Sequence, residues 1–336
     1  MLYRSAIHSC CAMLLLFGLP LLVTQDPLIT DQIVYAQTAM LTSPQTGNTR
    51  SWREHQVQSQ GVEISYRVFG SGSPILIING GFGLDSVGFE GLAHRLGLSH
   101  QVILFDRRGV GKSVMSEVNH HTMTMDLVIE DIEAIRQNLK HASWSVLGHS
   151  FGGMVAAYYT AKHPSKISKL ILSSSAGIDL TLFNGDPKES IHAQLSSADR
   201  SRLLALEETY RVHGPTQQLL HEFSETLARA YVFDDQHSPQ IARRLRRTND
   251  RVGQLLTDDL KRIAFNTRPA LRRFMQPVLI IQGQYDVIVD TIAHLTHETL
   301  PHSRLVILEN SGHYGWLDQP EKYISAVLTF LAGQTR

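Results

Sequence analysis

The sequence predicts a mostly parallel, doubly wound α/β sheet with helices on both faces and a helical cap insertion. Three observations carry that prediction. Short, unbroken apolar runs recur along the chain, such as 74–78 (PILII), 101–105 (QVILF) and 277–281 (PVLII), as strands covered on both faces require. Helix-length segments lie between them, which is the rhythm of parallel strands joined by crossover helices. Between residues 178 and 266 that rhythm stops: charge rises, no buried β-run occurs, and amphipathic helices follow one another.

The elements follow in order. Arg4 precedes an apolar stretch at 12–23 (AMLLLFGLPLLV) that is interrupted by Gly18 and Pro20. It is short for a bilayer span and reads as the apolar core of a secretory signal within residues 1–36, with Val34-Tyr35-Ala36 as a small-residue cleavage site. Export to a periplasm or the medium is therefore expected, with an uncleaved membrane anchor as the alternative. Cys10 and Cys11, the only two cysteines, precede this core, so removal of the signal leaves no thiol and no disulfide. Residues 37–54 are polar and read as a flexible linker. The α/β core is expected over 55–177 and 267–336, with the cap at 178–266.

Within the core, 57–69 reads as an antiparallel strand pair turning at Gln60-Gly61, and 74–78 as a buried strand ending in Asn79-Gly80-Gly81-Phe82-Gly83. A helix over 89–96 leads to the strand at 101–105. Apolar residues at Leu127, Val128, Ile132, Ile135 and Leu139 predict a helix over 125–139. Residues 142–147 (ASWSVL) read as a strand and 154–159 as the start of a helix, with Gly148-His149-Ser150-Phe151-Gly152 between them. Residues 167–173 give the next strand. In the cap, 201–212 and 216–231 read as helices. Strands at 277–281 and 303–308 and a helix over 321–331 complete the sheet.

A serine between a strand and a helix in G-x-S-x-G sits on a sharp turn whose neighbours must be small, and that turn lifts its hydroxyl clear of the sheet. Serine needs a base and a group to orient that base. Functional groups of doubly wound sheets gather beyond the C-terminal ends of strands. The two strands at 277–281 and 303–308 are followed by Asp286 and by His313. Asp286 falls directly after its strand, with Asp290 as a nearby alternative. His313 is the one of 17 histidines that follows the last core strand in a Gly-His turn, and His149 beside the serine reads as a support of the turn.

GHSFGG, GQYD and SGHYGWLDQP, in that order, closely resemble the α/β-hydrolase superfamily over nearly all of 55–336. The pairing of a G-G-x-G loop with the D-x-R-G-x-G-x-S segment at 106–113 is most similar to the proline iminopeptidase-like and other capped serine hydrolases. The resemblance implies the α/β-hydrolase fold, a Ser150–His313–Asp286 triad, and an oxyanion hole from the N–H groups of Phe151 and Gly81, with Phe82 as the neighbouring possibility. It also implies a bracing role for 106–113, which lacks the first glycine of a phosphate-binding loop. Iminopeptidases carry His and Pro where this chain has Asn79 and Phe82, whereas His149 and Phe151 stand as in many esterases and C–C bond hydrolases. A peptidase of this type needs cap carboxylates for the substrate's amine; Glu207, Glu208 and Glu222 are candidates, as is Glu225, and Phe82 is a candidate substrate contact.

The expected activity is serine hydrolysis of a small ester or amide through an acyl-enzyme, with an iminopeptidase-like aminopeptidase as one form of it and carboxylesterase or C–C bond hydrolase as the alternative. A non-catalytic protein holding a small ligand on the same fold is the alternative of another class. Thirty-one basic and 31 acidic residues leave no field for nucleic acid. No ligand spacing of a metal site appears, so the expectation is no metal and no cofactor, a small molecule or short peptide as substrate, and membrane contact only through an uncleaved N-terminal segment.

Overall fold

A computed structural model describes residues 52–182 and 187–333. The expected signal, its cleavage site and most of the expected linker lie outside the described residues. Eight strands form one sheet: β1 (Trp52–Ser59), β2 (Val62–Phe69), β3 (Pro74–Ile78), β4 (Gln101–Phe105), β5 (Trp144–His149), β6 (Ile167–Ser173), β7 (Val278–Gly283) and β8 (Ser303–Leu308). Their order across the sheet is β1-β2-β4-β3-β5-β6-β7-β8. The first two strands pair antiparallel, β2 joins β4 antiparallel, and all remaining pairs are parallel.

Alternation along each buried strand feeds two cores. On one face Leu76, Ile78, Val146, Leu170 and Ile280 meet α2 (Met125–Asn138) and α3 (Phe151–Lys162). On the other, Ile75, Ile77, Leu147, Ile171 and Leu279 meet α1 (Glu90–Gly97) and, past several helices named below, α12 (Pro320–Leu331). Thr124 caps α2 by accepting from the Leu127 amide, which fixes where that helix begins.

Between β6 and β7 the chain forms α4 (Pro187–Gln194), α5 (Ser197–His213), α6 (Gln217–Ala228), α7 (Ser238–Leu245) and α8 (Asp250–Arg262), followed by α9 (Arg268–Leu271). This insertion leaves and returns through a narrow neck. Asp179 and Asn266 form an isolated antiparallel bridge, and Thr267 donates both its amide (2.9 Å) and its hydroxyl (2.6 Å) to the Ile178 carbonyl. Beyond the last insertion helices lie α10 (Asp290–Thr299) and α11 (Gly315–Asp318).

Three boundaries differ from the sequence reading. The first strand starts at Trp52, inside the segment expected as linker, because Trp52 pairs with and packs on Phe69 (ring centroids 5.3 Å) at the sheet edge. Strand β5 continues through Gly148 and His149 to the serine, and α3 starts at once at Phe151. Gly148 therefore belongs to the strand, and Gly152 and Gly153 to the first turn of the helix.

Candidate active site

Ser150 joins β5 to α3 with φ 55° and ψ −122°, a conformation that costs a non-glycine residue roughly 1–3 kcal/mol. Hydrogen bonds hold it there. Its amide donates to Ser173 (3.0 Å), and its carbonyl accepts from Gly153 (2.8 Å) and Ala176 (3.1 Å). The turn works only if its neighbours lack Cβ atoms. One on Gly152 would overlap the Ile78 carbonyl, and one on Gly80 would lie 2.8 Å from the Ser150 Cβ.

Asp286 and His313 meet although 27 residues separate them. His313 Nδ1 lies 2.7 Å from Asp286 Oδ1, with both side chains almost fully buried. Asp286 Oδ1 also accepts the Ile288 amide (2.8 Å), which aims the carboxylate. Asp290 is exposed in the first turn of α10 and takes no part in this pairing. The His313 amide donates to the Tyr231 carbonyl (2.9 Å), so the insertion helps to fix the histidine's loop.

His149 is the wall behind His313. Their ring centroids are 4.6 Å apart, and Phe89, Tyr314 and Trp316 surround His149 at 5.5, 5.2 and 4.8 Å. Neither of its ring nitrogens makes a well-formed hydrogen bond; the only support comes from the Ser173 backbone. Burial, then the neighbouring His313 and Arg244, hold its pKa well below that of an ordinary imidazole, so it is neutral at pH 7.

The loop after β3 faces the serine. Gly81 adopts φ 82°, and Phe82 stacks on Phe151 with ring centroids 4.1 Å apart. Phe82 thus stands at the position for which the resemblance gives Pro, packed against Phe151. As the first residue of α3, Phe151 has an N–H with no partner inside its helix, at the positive end of the helix dipole. Arg107 lies over the Phe151 ring at 5.3 Å. Its environment pushes its pKa down to about 9, mainly through burial and then through Arg244, and it stays protonated at neutral pH.

The acidic candidates on the insertion divide. Glu208 pairs with Arg211, and Glu222 accepts from Arg202 (3.2 Å) and Gln218 (3.0 Å), all on exposed helix faces. Glu225 bonds Arg246 at 2.9 Å. Glu207 is half-buried on α5, with one carboxylate oxygen shielded from water. The structure thus turns Glu208 toward Arg211 one turn along its own helix and Glu222 toward Arg202 of the neighbouring helix α5. The sequence reading missed Arg244, which no motif marks and which reaches the loop after β3 from the insertion.

The bracing role expected for 106–113 has a specific form. Asp106 accepts from the Ser86 amide (2.9 Å), the Ser86 hydroxyl (2.5 Å) and the Lys112 amide (2.9 Å), while Ser113 bridges Asp106 to the Ser65 amide. Arg108 forms a two-point buried pair with Asp131 of α2 (2.7 and 2.5 Å). The segment therefore ties β2, the loop after β3 and α2 together.

Comparison with known proteins agrees with this geometry. The family model described as alpha/beta hydrolase fold matches residues 73–320. The chain is 27% identical over 285 residues to a proline iminopeptidase of Clostridioides difficile, covering 81% of this chain and 95% of that protein. It is 25% identical over 284 residues to a proline iminopeptidase of Saccharolobus solfataricus, covering 79% and 87%. Among solved structures it is similar to an esterase from Exiguobacterium antarcticum, with a TM-score of 0.62 and 23% identity, covering 83% of this chain and 100% of that one.

Proposed function

The chain belongs to the alpha/beta hydrolase fold family, and from that premise we propose that it is a serine hydrolase cleaving a small ester or amide through an acyl-enzyme. One observation carries the reading: Ser150 holds a strained turn at the end of β5 while the buried His313–Asp286 pair stands beside that same turn, against His149.

The chemistry follows from these groups. Asp286 accepts the Nδ1–H of His313, which leaves Nε2 as the basic nitrogen and stabilises the imidazolium that forms. His313 takes the Ser150 proton as Oγ attacks the carbonyl carbon. The negative oxygen of the tetrahedral intermediate is received by the Phe151 N–H and by Gly81, or its neighbour Phe82, from the opposite loop. His313 then protonates the leaving group, and water repeats the sequence to release the acid. Neutral His149 keeps a second positive charge away from the imidazolium.

Within this class the ester is the favoured substrate. An aminopeptidase needs carboxylates turned to the substrate's ammonium group, and Glu208 and Glu222 are engaged with surface arginines. Ser150→Ala is expected to lower kcat by about 10⁶ and to abolish labelling by a fluorophosphonate probe. Comparison of p-nitrophenyl esters with prolyl arylamides on the wild-type protein separates the two substrate classes. Unlabelled Ser150 in folded protein would sink the hydrolase reading, and tight ligand binding that survives Ser150→Ala would favour the non-catalytic one.

A further inference from the structure

Two buried arginines converge on the loop after β3. Arg107, from the end of β4, donates to the carbonyls of Asn79 (2.7 Å), Gly81 and Leu84 (3.0 Å). Arg244, from α7 of the insertion, donates to those of Gly80 (3.0 Å), Asp85 (2.9 Å) and Val87. Among the described residues neither guanidinium has a carboxylate partner. Asp85 is turned to Arg247 (2.5 Å), and Asp106 to Ser86 and Lys112. Burying these cations without a directly bonded carboxylate is costly, and it is offset by peptide oxygens, by aromatic faces (Arg244 lies 4.9 Å over the Phe89 ring), by the Tyr314 hydroxyl on Arg244 and by the nearby charges of Asp106 and Asp85 on Arg107.

The choice of carbonyls matters because a peptide group is one planar, conjugated unit. The carbonyl of Gly80 shares its unit with the N–H of Gly81, and that of Gly81 shares its unit with the N–H of Phe82. A charged donor on the oxygen draws density from the nitrogen, making its N–H a stronger donor on the other side. It also fixes the unit's orientation, with oxygen toward the guanidinium and hydrogen away from it. Arg107 acts in this way from the sheet, and Arg244 from the insertion.

Resting on the serine hydrolase reading, we propose that Arg244 is a positioning residue for the oxyanion loop: through the Gly80–Gly81 peptide it aims and polarises the N–H that receives the oxyanion. The strength of the hole is thereby conditional on the insertion being seated on the core. Displacing the insertion removes that donor from the Gly80 carbonyl, together with the Tyr231 carbonyl that holds the His313 amide.

The test uses full-length Arg244→Met, Arg244→Lys and Arg244→Gly with a p-nitrophenyl ester and a fluorophosphonate. The expected result for Arg244→Met is a fall in kcat of about 10- to 100-fold, part of the loss of a whole oxyanion donor, with KM within about twofold of wild type. Arg244→Lys recovers part of that loss. Millimolar guanidinium restores turnover in Arg244→Gly, a rescue that a merely structural role would not give. Arg244→Met that stays folded and reacts at the wild-type rate overturns the inference. So does a loss confined to KM or to thermal stability. If Arg244→Met fails to fold, the Lys variant and the guanidinium rescue decide. Wild-type protein that neither labels nor turns over any ester overturns the hydrolase reading itself, which is a distinguishable result.

Discussion

His149 shows how one side chain links the site to the stability of the molecule. In the folded protein its pKa lies well below the ordinary value of about 6.5 because burial and neighbouring positive groups disfavour the imidazolium. The unfolded chain therefore binds a proton that the folded chain refuses, so stability is complete above pH 6.5 and declines as pH falls below it. This one group contributes a slope of up to about 1.4 kcal/mol per pH unit. His149→Asn is expected to remove that increment, so that Tm measured from pH 7 to pH 5 falls less steeply than in wild type; parallel curves would disprove the assignment. Ser150, Asp286 and His313 were legible in the sequence because each follows its own strand in a short signature. Arg244 was not, because a lone arginine on an amphipathic helix carries no local sign of the loop it will reach. The aromatic enclosure of His149 was equally hidden, since Phe89, Tyr314 and Trp316 come from distant parts of the chain.

Among the elements, the join of β5 and α3 is the most constrained. A Cβ on Gly152 would overlap the Ile78 carbonyl and sit 2.7 Å from that of Asn79, so the helix cannot start against β3 unless residue 152 is glycine. Gly152→Ala is expected to cost about 1–3 kcal/mol through forced backbone shifts, read as a lowered urea midpoint. Turnover should fall further than stability, since the displaced backbone leads directly into the loop at Gly80 and Gly81. The same join explains where the sequence reading of the elements stopped short. The packing need for Gly148, Gly152 and Gly153 was read from the sequence, but not that the strand and the helix run on to meet at the serine. Trp52 extended the first strand for a related reason: the polar residues between it and Val57 hid the start of an edge strand that Trp52 anchors on Phe69.

On the scale of the whole molecule, the insertion and the sheet share one core. Leu203, Phe223 and Ile241 of the insertion lie in the same buried cluster as Phe89, Leu147, Trp316 and Tyr323. Unfolding followed by far-ultraviolet circular dichroism and by tryptophan fluorescence is therefore expected to give one coincident transition; two separated ones would mean that the insertion melts alone. Sequence rhythm revealed the sheet and the place of the insertion, because both are written in periodicity. It was silent on how tightly the two are fastened, which depends on backbone carbonyls such as those of Tyr231 and Gly80. The neck at Asp179 and Asn266 has a consequence of a different kind. The two ends of the insertion emerge side by side, so the segment is attached as a cassette: helices of another number or length can be spliced in there without shifting the register of β6 against β7. One contiguous stretch of chain can then be exchanged as a unit, provided the newcomer brings its own hand to grip the loop beneath it.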